Sequence, residues 1–423
     1  MPCHFNVTFS LLICHYDIQT STKTGLKGHY DTFSHLIGSN HVKICHNRYF
    51  CFTPAAINSM DKKDILLPDS LLRPSVITTG DHMVSFSPGT PFDKIYRLLE
   101  NRQDVCLTGS WGFAMAVYSW LKKQVSKQIP IQDYASSRQH QQALHVLQSH
   151  LWVKITTQGV DLDKAPANPW LHILYPDKDI FFIMMTDLLG LNGARQWFEK
   201  GIQYPVLSHR IHPFYGVYFP TRHDHLYLFD DWLSEEEATY SQAIDIGCGC
   251  GVLSFMLMKH GISPIQATDI NPNAVYGLNY ELLHLNGTLR ESIHVKEADL
   301  TGDIQPAAND LVVFNPPWIP EPPRKSMDTA CYFQNGFFER FFDHMHKACA
   351  PGTTIVLLFS NFSVVAGITN IHPLIQTLNK YTDTFQLVSK HTKPVRQKVA
   401  KRKSWIQTVR EKEEVELYVI RKT

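Results

Sequence analysis

Short apolar runs that end in glycine, proline or acidic residues alternate with helix-like stretches through the second half of the chain. Ala243-Ile244-Asp245-Ile246 reads as a buried strand entering the turn Gly247-Cys248-Gly249-Cys250-Gly251, and Val252 to Lys259 continues as a buried or amphipathic helix. Ile265 to Asp269 predicts a second strand, Ile293 to Ala298 a third and Leu311-Val312-Val313-Phe314 a fourth, with Asp269, Asp299 and Asn315 at their ends. Strands and helices alternating in this way predict an open α/β sheet, which binds its ligand at the carboxyl edge of its strands.

Upstream the periodicity is helical over Pro91 to Val125, Arg138 to Leu151 and Ile180 to Lys200, with a loop around Asp161 to Pro169. Within the first stretch, Asp104 to Gly112 also admits a strand and turn, followed by a helix from Phe113 to Lys123. The pattern divides the chain into a 1–85 extension of unclear structure, a mostly helical domain over 86–203 and a sheet domain over 204–423.

The polar residues at the strand ends carry the chemistry. Glycines at 247, 249 and 251 let backbone approach a nucleotide-like ligand, and Asp269 lies at the spacing where a carboxylate accepts from ribose hydroxyls. Asp299, at the next strand end, is positioned to meet a base, so a nucleoside ligand is expected. Asn315-Pro316-Pro317-Trp318 offers two stiffly held hydrogen-bond acceptors and an indole face, which suits a planar amide or amino nitrogen.

Taken in order, Asp245 to Gly251, Asp269, Asp299 and Asn315 to Trp318 resemble the class I S-adenosylmethionine-dependent methyltransferases. Within them the chain is similar to the "methyltransferase small" superfamily, which includes release-factor glutamine N5-methyltransferases and several adenine and guanine N-methyltransferases. The likeness runs from about Arg210 to Ser360, taking in Gly216 to Arg222 as a strand and turn, Asn335 to Ala350 as a helix and Thr353 to Ser360 as a fifth strand.

The resemblance implies a seven-stranded Rossmann-like sheet. It implies S-adenosylmethionine as cofactor, bound by Asp245, Gly247, Gly249, Gly251, Asp269, Asp299 and Asn315. The Asn315 side-chain oxygen and the Pro316 carbonyl would accept the N–H groups of the methyl acceptor, Pro317 would stiffen the turn, and Trp318 would stack on the planar group. Two departures leave the acceptor open between a protein glutamine amide and a nucleobase exocyclic amine. Trp318 stands where Tyr is usual, and Pro220-Thr221-Arg222-His223-Asp224 stands where Pro-Arg-Pro-Glu-Thr is usual.

Charge bears on that choice only locally. With 40 basic and 39 acidic residues in 423, no global field draws the chain to nucleic acid or membrane. Between Asp383 and Glu411 there is no acid, while Lys390, Lys393, Arg396, Lys398, Lys401, Arg402, Lys403 and Arg410 gather around Trp405. If Phe385 to Val388 and Val415 to Ile420 are the sixth and seventh strands, their connection emerges at the active edge and would suit RNA or DNA. A solvated loop without a partner is the plainer alternative. A small-molecule methyltransferase and a non-catalytic binding module remain the other readings.

Nine cysteines without a regular framework indicate a reducing compartment. Phe5 to Cys14 lacks the basic leader of a signal peptide and no apolar run reaches membrane-spanning length, so cytoplasm is expected. Cys3-His4, Cys14-His15 and Cys45-His46, with Cys51 nearby, match no usual zinc spacing. Cys248 and Cys250 read as small packed side chains, and no metal is expected.

Overall fold

The computed structural model describes residues 67–285, 291–323, 326–396 and 404–423. The segment 1–66, which holds the Cys-His pairs, lies outside the described residues.

The first half is built on a sheet of its own. Strands β1 (Val76–Ile77), β2 (Val84–Phe86), β3 (Val105–Leu107), β4 (Leu151–Thr156), β5 (Gly159–Val160) and β6 (Phe181–Met184) take the order β1-β6-β4-β3-β2, with β5 beside β4. Helices over Phe92–Glu100, Trp111–Gln128 and Tyr134–Gln148 connect the parallel strands β2, β3 and β4.

The expected helices are therefore present, but they cover a sheet, so "mostly helical" gives way to a second α/β layer. The helix expected to reach Leu151 stops at Gln148 and Leu151 opens β4, while Ile180 to Lys200 divides into β6 and the helix Met185–Lys200. Asp104 to Gly112 takes the strand-and-turn alternative. Apolar runs of three to six residues carry too little period to separate strand from buried helix.

After the two-stranded ribbon β7 (Ile202–Gln203) and β8 (Arg210–Ile211), the stretch expected as a strand over Gly216 to Arg222 is irregular. Its backbone is used elsewhere: the Tyr218 carbonyl accepts from Cys250 N at 3.2 Å and the Gly216 carbonyl accepts from Asn271 Nδ2 at 2.8 Å. The helix Asp224–Glu235 follows.

The second sheet has seven strands: β9 (Ala243–Ile246), β10 (Ile265–Asp269), β11 (Ile293–Glu297), β12 (Leu311–Phe314), β13 (Thr354–Ser360), β14 (Phe385–Pro394) and β15 (Glu414–Lys422). Their order is β11-β10-β9-β12-β13-β15-β14, and β15 is antiparallel to both neighbours while the adjacent pairs from β11 to β13 are parallel. This is the seven-stranded arrangement expected. Every residue of β9, β12 and β13 is buried, as apolar strands covered on both faces require.

One face packs against Val252–Lys259, Pro272–His284 and the first half of the chain; the other packs against Phe337–Ala348 and Pro373–Leu378. Apolar packing runs unbroken from the first layer into the second through Trp170, Phe198, Phe214 and Tyr280. The fully buried Asn273 amide also spans the junction, accepting from Leu72 N at 2.7 Å and donating to Leu72 O at 3.0 Å and Tyr215 O at 2.7 Å.

Candidate active site

Strand register decides where the functional loops lie. Ile246 pairs with Phe314 on one side and Thr268 on the other, all parallel, so the turns after β9, β10 and β12 leave the same edge of the sheet. The β9 turn must be glycine. Gly249 has φ +52°, and a Cβ there would sit 2.9 Å from the Tyr218 carbonyl oxygen. Gly251, at φ +82°, caps the helix Val252–Lys259 and would bring a Cβ within 2.4 Å of Leu278.

Asp269 is locked against this turn. One carboxylate oxygen accepts from Gly249 N and the other from Asn271 N, both at 2.8 Å, and burial raises its pKa. Between Asp269 and Asn271 stands Ile270, 64 % exposed, an apolar side chain that sequence reasoning passed over because nothing in a strand-end isoleucine marks exposure.

Asp245 is placed differently. Its carboxyl is fully buried beneath the loop, accepts from Ser254 Oγ at 2.6 Å, and leaves Oδ1 without a hydrogen-bond partner. Burial is the main cause that pushes its pKa up to about 7, with the Asp269 charge adding to it. Asp299 follows β11, where Ala298 N bonds the Asp269 carbonyl, but its carboxylate is exposed and ion-paired with Arg340 on the helix Phe337–Ala348.

Across the edge from the glycine turn, a cleft is lined by Asn315, Pro316 and Trp318 together with Tyr218, Phe219, Arg222 and His225. Thr221, Asp224, Ala330, Cys331, Val395, Glu413 and Val415 complete its wall. Pro317 is buried and does not line the cleft, so it only stiffens the turn. The Trp318 indole N–H donates to Asn315 Oδ1 at 3.1 Å and to the Leu358 carbonyl at 3.3 Å, and its ring meets His225 edge to face, centroids 5.4 Å apart. An amide oxygen has two lone pairs, so one site on Asn315 remains for a ligand.

His225 was not anticipated, since neither its spacing nor its neighbours mark it. It is 3 % exposed, its Nε2 has no partner, and burial drives its pKa down to about 3, so the ring is neutral. The charges of the wall are paired, one within the wall and one with a residue behind it. Arg222 meets Asp224 at 3.3 Å, and Glu413 accepts from Arg410 at 2.7 Å and from Ser360 Oγ at 3.1 Å. Such a cleft suits an uncharged planar group.

Lys390, Lys393 and Arg396 of the β14–β15 region are engaged with their own chain. Lys390 pairs with Glu416 at 2.8 Å, Lys393 with Asp231, and the Arg396 guanidinium lies 4.3 Å from the Tyr227 ring centre while its backbone N–H bonds Asp224 at 3.1 Å. Lys398, Lys401, Arg402 and Lys403 lie outside the described residues.

Cys248 and Cys250 are buried, with burial raising both thiol pKa values, and Cys250 Sγ lies 3.8 Å from the Tyr204 hydroxyl. Among the described residues no cluster of three or more His, Cys, Asp or Glu is placed to hold a metal, and no helix is long and apolar enough to cross a membrane.

Residues 228–331 match the family described as "Methyltransferase small domain". A ribosomal protein L11 methyltransferase of Acinetobacter baumannii (strain SDF) is 30% identical over 101 residues, 24% of this chain and 33% of the relative. A protein named as an N5-glutamine methyltransferase, from Methanocaldococcus jannaschii, is 30% identical over 132 residues, 31% of this chain and 61% of the relative. The chain thus spans about a third of the length of the first of these relatives.

Among solved structures, the ribosomal protein L11 methylase of Lactobacillus delbrueckii subsp. bulgaricus aligns over 52% of this chain and 91% of its own, at 15% identity and a TM-score of 0.32. Members of such methyltransferase families generally use S-adenosylmethionine. The strands β9 to β12, the glycine turn and Asn315 to Trp318 lie within residues 228–331, the segment that is similar to a methyltransferase small domain.

Proposed function

We propose that this chain is an S-adenosylmethionine-dependent N-methyltransferase that methylates a planar nitrogen, with a protein side-chain amide the favoured acceptor. The observation that carries the reading is the pairing of Ile246 with Phe314, which brings the glycine turn and Asn315 to one edge.

The residues fit the cofactor. The glycine turn has no room for side chains at Gly249 and Gly251, Asp269 is held by two backbone N–H groups beside it, and the exposed Ile270 offers an apolar surface to a nucleoside base. Gly247, Gly249, Gly251 and Asp269 would form the cradle, with the buried Asp245 bracing the turn from beneath instead of touching the cofactor, and Asp299 at its rim. Bound S-adenosylmethionine supplies an electrophilic methyl group.

This chain's own task is aim and polarisation. An amide lone pair is delocalised and weakly nucleophilic; N–H bonds to the free lone pair of Asn315 Oδ1 and to the Pro316 carbonyl would draw the nitrogen toward a tetrahedral form. Positioning of this kind contributes up to roughly 7 to 11 kcal/mol. Trp318, fixed by two hydrogen bonds, would cover the planar group and exclude water, strengthening those bonds.

The paired charges of the cleft and the internal partners of Lys390, Lys393 and Arg396 support an uncharged protein amide over a phosphate-flanked nucleobase amine. The names of two relatives support a protein acceptor, and that of the N5-glutamine methyltransferase supports an amide. We take the domain boundary at 203/204 and read the first domain as the substrate-selecting half.

Incubation with methyl-labelled S-adenosylmethionine and a fractionated cell lysate tests the reading. Label in protein is expected. Label confined to RNA, DNA or small molecules would replace the acceptor, and failure to bind S-adenosylmethionine would leave only a binding module.

A further inference from the structure

Beyond Trp318 the chain comes alongside itself at Ile319 and Tyr332, in parallel, and reaches the cleft again. Ile319 N donates to Cys331 O at 3.0 Å and Phe333 N donates to Ile319 O at 2.9 Å, which ties the outgoing limb to the returning one. The returning limb supplies Ala330 and Cys331 to the cleft wall. Glu321 sits on the outgoing limb, its N–H bonded to Ile319 O at 2.9 Å, and Tyr332 sits on the returning limb next to Cys331.

One side chain from the first domain grips both limbs. Arg138, on the helix Tyr134–Gln148, brings Nε to 2.7 Å from Glu321 Oε2, and its guanidinium lies 4.8 Å from the Tyr332 ring centre with Nη1 3.4 Å from the phenol oxygen. The contact is sheltered: the Arg138 side chain is 12% exposed, and Tyr134 of the same helix packs with Ile319, Cys331, Tyr332 and Phe362. The helix start is pinned by a reciprocal Asp133–Ser136 cap, so the guanidinium projects from a fixed base. The guanidinium pairs with the Glu321 carboxylate by charge, Nε making no hydrogen bond, while its flat face lies on the Tyr332 ring, a stacking surface that an ammonium lacks.

We propose that Arg138 is a positioning residue for methyl transfer: by clamping Glu321 and Tyr332 it sets the wall of the acceptor cleft, so the first domain completes the acceptor site. The proposal rests on the N-methyltransferase reading above. It assigns no contact between Arg138 and either ligand. The contacts of Arg138 are with Glu321 and Tyr332 and not with the glycine turn or Asp269, so cofactor affinity is predicted to be indifferent to Arg138.

The test uses the full chain, with Arg138→Met and Arg138→Lys, and with Glu321→Gln as a second route should Arg138→Met not fold. Amide hydrogen exchange is read at Ile319 and Phe333, S-adenosylmethionine binding by calorimetry, and label transfer into the protein fraction of a lysate. Arg138→Met is expected to raise exchange at both amides by about tenfold and to lower transfer by about tenfold or more, with cofactor affinity unchanged. Arg138→Lys should recover neither fully, because charge alone does not rebuild the planar contact with Tyr332.

Unchanged exchange, or faster exchange with full-rate transfer, overturns the proposal, as does loss of cofactor affinity in step with transfer. If the unsubstituted protein transfers no label, the functional reading fails, and the exchange at Ile319 and Phe333 still decides whether the clamp exists.

Discussion

The indole Nε1 of Trp318 donates to the side-chain oxygen of Asn315 at 3.1 Å, three residues back across two prolines. The bond orients the amide with its oxygen toward the indole, and tyrosine in place of Trp318 has no N–H to make it. Trp318→Phe keeps an aromatic face and deletes the donor. It is expected to lower turnover by about fivefold to tenfold, the worth of one hydrogen bond of roughly 1 kcal/mol, with S-adenosylmethionine affinity unchanged in calorimetry. Wild-type turnover would mean that the bond does not orient Asn315.

Asn315→Ala removes the acceptor itself. The loss of one preorganised hydrogen-bonding group at a reacting centre costs about 10² to 10³ in rate, and that loss is expected in kcat, with the cofactor Kd moving by no more than about threefold. An equal loss in cofactor affinity would place Asn315 on the cofactor instead of the acceptor nitrogen.

Gly249→Ala confronts backbone with backbone. The Cβ would meet the Tyr218 carbonyl oxygen at 2.9 Å in a left-handed conformation, and no flexible side chain can yield there. A cost of about 1 to 3 kcal/mol is expected, read as weaker S-adenosylmethionine binding and a lower Tm. Gly251→Ala meets Leu278, whose side chain can shift, and is expected to cost less.

Asp245 makes stability depend on pH with a definite sign. Its folded pKa stands at about 7 against an ordinary 3.8, so the folded state holds a proton that the unfolded chain has lost between those values. Its contribution is therefore complete below about pH 4 and disappears as pH rises through about 7, a swing on the order of 4 kcal/mol. Asp245→Asn should remove that slope between pH 4 and 7 in thermal denaturation. A slope that survives the substitution belongs to another group.

Ile270 offers a cofactor test independent of the charges. If a nucleoside covers its exposed side chain, Ile270→Asp weakens S-adenosylmethionine binding by about tenfold or more while leaving Tm nearly unchanged, because the residue packs against little in the free protein. Intact affinity would place the base elsewhere.

The second half of the chain could be read from its residues because its elements carry local signals. Fully apolar strands such as Leu311–Phe314 can only be buried, glycines at positive φ mark the turn, and prolines stop the strand at Asn315. The seven-stranded sheet followed from resemblance and is the sheet found. The first half was less legible, since three-residue strands such as Val105–Leu107 gain their identity from parallel neighbours distant in sequence.

The site divides along the same line. Residue order alone pointed to the loops proposed to carry chemistry: Gly247 to Gly251, Asp269 and Asn315 to Trp318. Only tertiary structure decided that Asp245 lies beneath the loop, that Asp299 is taken by Arg340, that His225 and Glu413 wall the cleft, and that Lys390, Lys393 and Arg396 are bound to their own chain. The physical reason is range. Backbone conformation and strand burial are set by neighbours within a few residues, whereas a side chain's burial and ion partner depend on segments that meet only when the sheets are packed.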